Sequence, residues 1–207
     1  MRMILIATIV MLFQKPAPQV IPGKIECEFY NEGGEGVAYH DTDEINNGSG
    51  KLNPADGSYL NEFRMKDGVD ISYTKEKNID NHNYNKVKPL MNQLYVGWTV
   101  PGEWIKYNID VKESGTYTVS LMYTAHDNGE IILDIDGRQA LLAQVPSTFD
   151  AADTISWRQW HHWNKIQLGD IKAKKGKHVL TLRTHSSGNM NYDFLEFTEK
   201  GKKQVGN

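Results

Sequence analysis

Two carboxylates near the start of the chain have a spacing that suits metal ligands. Glu26 and Glu28 lie two residues apart in a strand-like segment, so their side chains are expected on one face. Ile25, Cys27 and Phe29 then point to the core. Adjacent carboxylates repel each other unless a cation or base lies between them, and oxygen ligands without His or Cys select calcium over zinc. On this pattern alone, an exposed pair of glutamates on an edge strand is the favoured interpretation.

Tryptophan in polar loops is the second feature that could do chemistry. Trp157 and Trp160 lie in such a loop, where an exposed indole is unfavourable unless it meets a ligand or a partner. Sugars offer flat apolar C–H faces edged with hydroxyls, which stacked aromatic rings and a few polar groups can capture. The alternative is that both indoles anchor the loop on the fold. Three tryptophans in strand-like sequence are predicted to be core residues: Trp98, Trp104 and Trp163.

Catalytic motifs are scarce in this sequence. No pair of its seven histidines has the spacing of a zinc-binding helix, and there is no nucleophile elbow, P-loop or dinucleotide fingerprint. Acidic residues are plentiful, so a small jelly-roll glycoside hydrolase or polysaccharide lyase with a carboxylate pair stays open as an alternative. Glu35, Asp41 and Glu103 are candidate acids for it.

Composition describes a globular protein. The 207 residues are 39% hydrophobic, which is enough for a sizeable core and excludes general disorder. The 23 basic and 26 acidic residues leave no positive excess for a nucleic-acid partner. A single cysteine excludes a disulfide framework.

The first residues read as a targeting signal. Arg2 precedes the apolar run 3–13, which is too short for a stable membrane span of about 20 residues but suits a signal peptide over 1–17. The alternative is a buried N-terminal helix. This predicts a secreted, periplasmic or cell-surface protein. A proline-rich linker is predicted at 18–24, a folded module at 25–199 and a polar tail at 200–207.

The elements that must position these residues are strands. Alternating or β-branched runs separated by turn signals predict ten strands and no helix of ten or more residues. This pattern predicts an all-β protein, a β-sandwich of the jelly-roll type. Long connections at 31–67, 74–92 and 146–162 are candidate binding or metal-stabilised segments. The predicted strands are 25–30, 68–73, 95–99, 104–111, 116–123, 130–135, 139–145, 163–168, 178–184 and 192–198.

An ordered series of sequence blocks resembles the family 6 carbohydrate-binding modules. The blocks include IECEFY at 25–30, GGEGVAYHDT at 33–42, DGVDI at 67–71, VGWT at 96–99 with GEWIKY at 102–107, and NYDFLEF at 191–197. The resemblance implies a galactose-binding-domain-like sandwich. The chain departs from the family pattern at two loop inserts, between residues 51 and 61 and between 75 and 94.

The resemblance also implies a function and its residues. It adds Asp193 to Glu26 and Glu28 as ligands of a structural calcium ion that ties the first strand to the last. It assigns a sugar site to Tyr39 and Trp160, as rings on either side of a sugar, and to Asn191, as a hydrogen-bonding group.

Trp157 could extend this platform. The implied function is non-catalytic binding of a plant, algal or microbial polysaccharide of the β-glucan, xylan or agarose type. A glycoside hydrolase is a further expected partner.

Overall fold

Twelve strands account for nearly all the regular structure in the part of the chain described by the computed structural model, residues 18–186 and 188–201. The predicted signal peptide and residues 202–207 of the predicted tail lie outside this part. The bounds are β1 (Gln19–Ile21), β2 (Gly23–Glu26), β3 (Tyr39–His40), α1 (Tyr59–Glu62), β4 (Ile71–Tyr73), β5 (Leu94–Thr99), β6 (Trp104–Val111), β7 (Gly115–Ala125), β8 (Gly129–Ile135), β9 (Arg138–Val145), β10 (Asn164–Ala173), β11 (Gly176–Ser186) and β12 (Met190–Glu199). A short 3₁₀ helix, Ser156–Trp160, precedes β10.

The strands form two six-stranded sheets. One has the order β1-β6-β11-β8-β9, with β3 also paired to β6. The other has the order β10-β7-β12-β5-β4, with β2 also paired to β12. The prediction of an all-β sandwich is therefore confirmed. The predicted neighbourhood of the first family-like strand and the last is confirmed too, because Ile25 of β2 pairs with Leu195 of β12.

The core lies between the sheets and follows the alternation of the sequence. Every second residue of β6 is buried, including Tyr107 and Ile109, and on β7 Tyr117 and Val119 are 0% exposed. Burying each such side chain stabilises the fold by about 2 kcal/mol. Loops at the ends of this rigid frame carry the candidate functional residues. Among the described residues, no helix is long and apolar enough to cross a membrane.

The start of the folded part differs from the prediction in two ways. The proline-rich stretch predicted as a linker holds β1, which pairs in parallel with β6 from Gln19 opposite Ile109 to Ile21 opposite Val111. The predicted strand 25–30 ends early, at Glu26, and the chain then turns. Alternation stops at this turn, so Phe29 is 40% exposed instead of lying in the core.

Candidate functional site

A cleft of about 490 Å³ brings together three of the predicted sugar-site residues, Trp157, Trp160 and Asn191. Two further aromatic residues, Trp98 and Tyr95, lie in it with them. We call this site the tryptophan cleft. Its lining residues are Leu52, Tyr95, Trp98, Trp157, Trp160, His161, Asn189 and Asn191.

The depth of each side chain in the tryptophan cleft follows from its burial. Tyr95 is 2% and Asn191 6% exposed, so they form the base. Trp98 and Trp157 are 42% and 52% exposed, so their rings stand at the opening. Indole rings in such a cleft can stack on the apolar faces of a bound sugar, and an amide group beside them can form hydrogen bonds at the edges of the sugar.

Trp160 is held from behind and from below. Its ring stacks on His126 with centroids 4.4 Å apart and planes inclined by 20°. Its carbonyl accepts hydrogen bonds from the Thr124 hydroxyl at 2.7 Å and from the Asn191 amide at 2.8 Å. One face of the indole is thus covered by protein, and a ligand can stack only on the opposite face.

Trp98 is one of the aromatic residues that sequence reasoning misplaced. It was predicted to be core, yet its main chain has φ of 51°, a left-handed conformation that turns the side chain out of β5. The preceding Gly97 leaves room for this arrangement, because a Cβ there would lie 2.9 Å from Oδ1 of Asn191. That same oxygen accepts the Trp98 main-chain N–H at 3.2 Å. The predicted core position of Trp163 is correct, since it is 0% exposed.

Asn191 positions the residues Trp98 and Trp160 by hydrogen bonds to their main chains. Its amide nitrogen donates to Thr124 Oγ1 at 2.9 Å and to the Trp160 carbonyl, and its oxygen is engaged by Trp98. The amide hydrogens predicted to bind a sugar hydroxyl are therefore already used. Asn189, which is exposed at the opening, makes no such bond among the described residues and offers a free amide.

Tyr39 lies outside the tryptophan cleft, which corrects its predicted role. It is 5% exposed, and its ring packs edge-on against Tyr30 at 5.5 Å between centroids. Its hydroxyl accepts the Gly68 main-chain N–H at 3.0 Å. A ring enclosed in this way has no face on which a sugar can stack.

A buried ionic network holds the loop that carries Trp157 and Trp160. Arg158 donates to both carboxylate oxygens of Asp153, from Nε at 2.7 Å and from Nη2 at 2.8 Å. His162 Nε2 lies 2.8 Å from Asp153 Oδ2, and the Gln159 amide donates to the Asp153 carbonyl at 2.7 Å. All four side chains are at least nine-tenths buried. The loop is therefore anchored through its polar residues, which leaves its indoles at the surface.

Removal of the Asp153 carboxylate is expected to destabilise the protein markedly. Asp153→Ala leaves the Arg158 cation buried without its partner, at a cost of about 3 kcal/mol, or roughly 8 °C in melting temperature. Asp150→Ala, at an exposed carboxylate of the same loop, should change the melt little. Thermal denaturation checks both variants, and equal melting temperatures would contradict this role of Asp153.

The insert at 75–94 supports the cleft wall. Asp80 is 0% exposed, and its Oδ1 lies 2.8 Å from His161 Nδ1 and accepts from Trp163 Nε1 at 2.7 Å. Its other oxygen accepts the Lys75 main-chain N–H at 2.7 Å. Because His161 lines the cleft, its contact with Asp80 fixes the position of the insert relative to the cleft.

The three predicted calcium ligands, here called the acidic trio, meet where β2 leaves β12. The main-chain N–H of Cys27 donates to the Asp193 carbonyl at 2.8 Å, which places Glu26, Glu28 and Asp193 close together. Burial, together with the charge of Glu26, raises the pKa of Glu28 to about 9 and that of Asp193 to about 7. Glu28 is thus buried at 1% exposure, unlike the exposed pair of the alternative interpretation.

The acidic trio fits a cation by its unmet hydrogen-bonding capacity. Both carboxylate oxygens of Glu28, Oε2 of Glu26 and Oδ1 of Asp193 are buried without a hydrogen-bond partner. Such oxygens are costly unless a cation or a proton satisfies them. Within residues 18–186 and 188–201, no three His, Cys, Asp or Glu side chains stand in ready-made ligand geometry, so the trio would have to converge on an ion.

The candidate acids of the hydrolase alternative lie apart from the cleft. Asp41 and Glu103 line a separate cavity of about 20 Å³, room for about one water molecule and far too small for a sugar. Burial raises the pKa of Asp41 to about 7, and Glu103 is engaged by the Thr42 hydroxyl and two main-chain N–H groups. Glu35 is exposed and pairs with His40 at 2.5 Å.

Comparisons with known proteins agree on one family. The family model described as carbohydrate binding module (family 6) matches residues 70–199, more than half of the chain. A solved family 6 module from Clostridium stercorarium, in complex with cellobiose, is 12% identical with a TM-score of 0.53, and the match covers 89% of this chain and 99% of that one. A second family 6 module, from a study of its binding sub-sites, is 18% identical with a TM-score of 0.51 and the same coverage. None of the curated protein sequences compared with the chain matches it.

Proposed function

Since this chain belongs to family 6 of the carbohydrate-binding modules, we propose that it binds a plant, algal or microbial polysaccharide in the tryptophan cleft. The observation that carries this proposal is the composition of the cleft, three indoles together with the exposed amide of Asn189 at the opening. Its eight lining residues include no Asp, Glu, Lys or Arg. This favours a neutral glycan of the β-glucan, xylan or agarose type, bound by stacking and hydrogen bonds.

We further propose that the chain binds without cleaving. Stacking and a few hydrogen bonds, with no charge to trap, support affinities from micromolar to millimolar, which suit capture of a polymer or delivery of an attached or partner glycoside hydrolase. Export to the periplasm, the cell surface or the medium, as the predicted signal peptide suggests, would put the module where such polymers occur.

A panel of affinity gels tests the proposal. Native electrophoresis through gels containing β-glucan, xylan or agarose should show retarded migration with at least one polymer, and no reducing sugar should appear in the incubated sample. Release of reducing sugar or unsaturated product would instead support the hydrolase or lyase alternative. Normal migration in every gel would contradict glycan binding of these types.

Calcium binding by the acidic trio is the second part of the proposal. The unpartnered oxygens of Glu28 support it, since a hard divalent cation is the partner that several converging carboxylates favour. The ion would be structural, because the trio joins β2 to β12 and the tryptophan cleft includes none of its members.

His126 is expected to matter for binding although it does not line the tryptophan cleft. His126→Ala removes the ring that backs Trp160, so the indole gains freedom that a bound sugar must restrict again. We expect about a threefold to tenfold loss of affinity, whereas His126→Phe, which keeps a flat ring, should retain binding. Calorimetric titration of both variants checks this, and equal affinities for both would contradict the bracing role.

A further inference from the structure

A second cavity, of about 430 Å³, opens in the insert at 75–94. Its lining is polar, and we call it the amide cavity. The residues that line it are Asn81, His82, Asn83, Asn85 and Lys88.

Two of the asparagines build the amide cavity. The side-chain oxygen of Asn81 accepts the Asn78 main-chain N–H at 2.7 Å. Asn85 donates to the Asp80 carbonyl at 2.6 Å and accepts the Trp163 main-chain N–H at 2.9 Å. These bonds shape the wall and leave little capacity for a ligand.

Two of the three remaining polar side chains, those of Asn83 and Lys88, are free to bind. Among the residues that the structure describes, the side chains of Asn83 and Lys88 make no hydrogen bond or ion pair with the protein, and both are exposed. An amide offers two donors and an acceptor, and an ammonium offers three donors. No aromatic ring other than the His82 imidazole lines the amide cavity, so it can read hydroxyl groups but offers little surface for stacking.

The amide cavity is fixed next to the tryptophan cleft. His161 of the cleft wall bonds to the Asp80 carboxylate, and Asn81 of the cavity wall is the next residue of the chain. Tyr84 ties the same insert to the tryptophan loop, because its hydroxyl donates to the Ala152 carbonyl at 3.0 Å and its ring stacks on His162 at 5.3 Å.

From this arrangement we propose that the amide cavity is a second sugar subsite. It takes the hydroxyl groups of a unit further along the same glycan chain whose other units stack in the tryptophan cleft. Asn83 and Lys88 are its ligand-binding residues, and they donate to the hydroxyl groups of that unit. The inference rests on the proposed function, and it adds chain length as a determinant of affinity.

Calorimetry with cello-, laminari- and xylo-oligosaccharides of two to six units tests the subsite. The unmodified protein should bind the longer members of its preferred series more tightly than the disaccharide. The double variant Asn83→Ala, Lys88→Ala should lose roughly tenfold in affinity for the longer members and keep its affinity for the disaccharide, since two hydrogen bonds are removed only where a distant unit is present. Lys86→Ala is the matched control, because Lys86 is an exposed lysine of the same insert that does not line the cavity.

The outcomes separate the two proposals. If no oligosaccharide or polymer binds, the proposed function fails and the subsite fails with it. If the disaccharide binds but affinity does not rise with length, or if the double variant behaves as the Lys86→Ala control does, the subsite alone is wrong and the tryptophan cleft stands.

Discussion

Alanine at Trp98 or at Trp160 is expected to abolish retention of the protein in a glycan gel. Each change removes an indole face from the tryptophan cleft, and the lost stacking is worth about 2 kcal/mol, or roughly a 30-fold loss of affinity. Starting from micromolar to millimolar binding, such a loss takes the interaction below what a gel detects. The melting temperature should fall by no more than about 4 °C, because Trp98 is exposed and Trp160 half-buried.

Trp104→Ala supplies the control for both variants. It removes a half-buried indole that lines the small acidic cavity and not the tryptophan cleft, so binding should survive. Tyr39→Ala is unsuitable as a test, because loss of a buried ring costs about 3–5 kcal/mol and would confuse unfolding with lost binding. Retention of both cleft variants at the level of the unmodified protein would place the sugar site elsewhere.

The strands could be predicted because their signal is periodic. Buried residues alternate with less buried ones along β6 and in the first half of β7, and the turn at Asp136 and Gly137 marks a hairpin. These elements therefore differ from the prediction by at most two residues at either end. The exception at the N-terminus has a physical cause. β1 is a three-residue strand next to a proline, and its pairing with β6 depends on a partner about 90 residues away that no local pattern reveals.

Exposure of single aromatic side chains was the part that local pattern could not decide. Trp98 was predicted to be buried and is exposed, and Tyr39 was predicted to lie open to a sugar and is buried, although both lie on strands. A left-handed main chain turns Trp98 outward, and the hydrogen bond from Gly68 holds Tyr39 inward. Both effects come from residues that are not neighbours in the pattern.

The loop that carries Trp157 and Trp160 is a second case in which the local sequence pattern was not sufficient. Trp157 and Trp160 were correctly placed in a surface loop, but the reason they stay at the surface is the buried ion pair of Asp153 and Arg158. A Glu, Asp or Arg in a polar stretch is usually solvated, so its burial cannot be read from composition. The sequence therefore predicts that Trp157 and Trp160 lie near the surface and leaves the internal support of their loop unspecified.

Removal of calcium is expected to lower the melting temperature by roughly 12 °C. At a free calcium concentration of about a thousand times the dissociation constant, binding adds about 4 kcal/mol to the free energy of unfolding. Each kcal/mol moves the melting temperature of a chain of this size by about 3 °C. The stabilisation would arise at the proposed calcium site, the acidic trio, whose buried oxygens named above have no hydrogen-bond partner among the described residues. Dialysis against a chelator, followed by thermal denaturation and metal analysis of the untreated protein, measures the effect.

The pH dependence of the stability gives a second, independent test of the calcium site. In the ion-free protein the raised pKa values of Glu28 and Asp193 mean that the folded state binds more protons than the unfolded state above about pH 4.5. Its stability therefore falls as the pH rises through 7 towards 9, whereas bound calcium replaces those protons and removes the loss. The difference in melting temperature between the calcium-loaded and chelated protein should grow from pH 5 to pH 8.

The variant Glu28→Gln distinguishes a bound calcium ion from mere crowding of the three acidic side chains. The amide keeps the shape of the side chain and is neutral without having to bind a proton, so the ion-free variant should melt no lower than the ion-free parent. It should also have lost most of its response to the chelator, because a neutral amide is a weaker calcium ligand than a carboxylate. A parent protein that contains no metal and melts identically with and without chelator would reject the site, and the buried acids would then be held by protons alone.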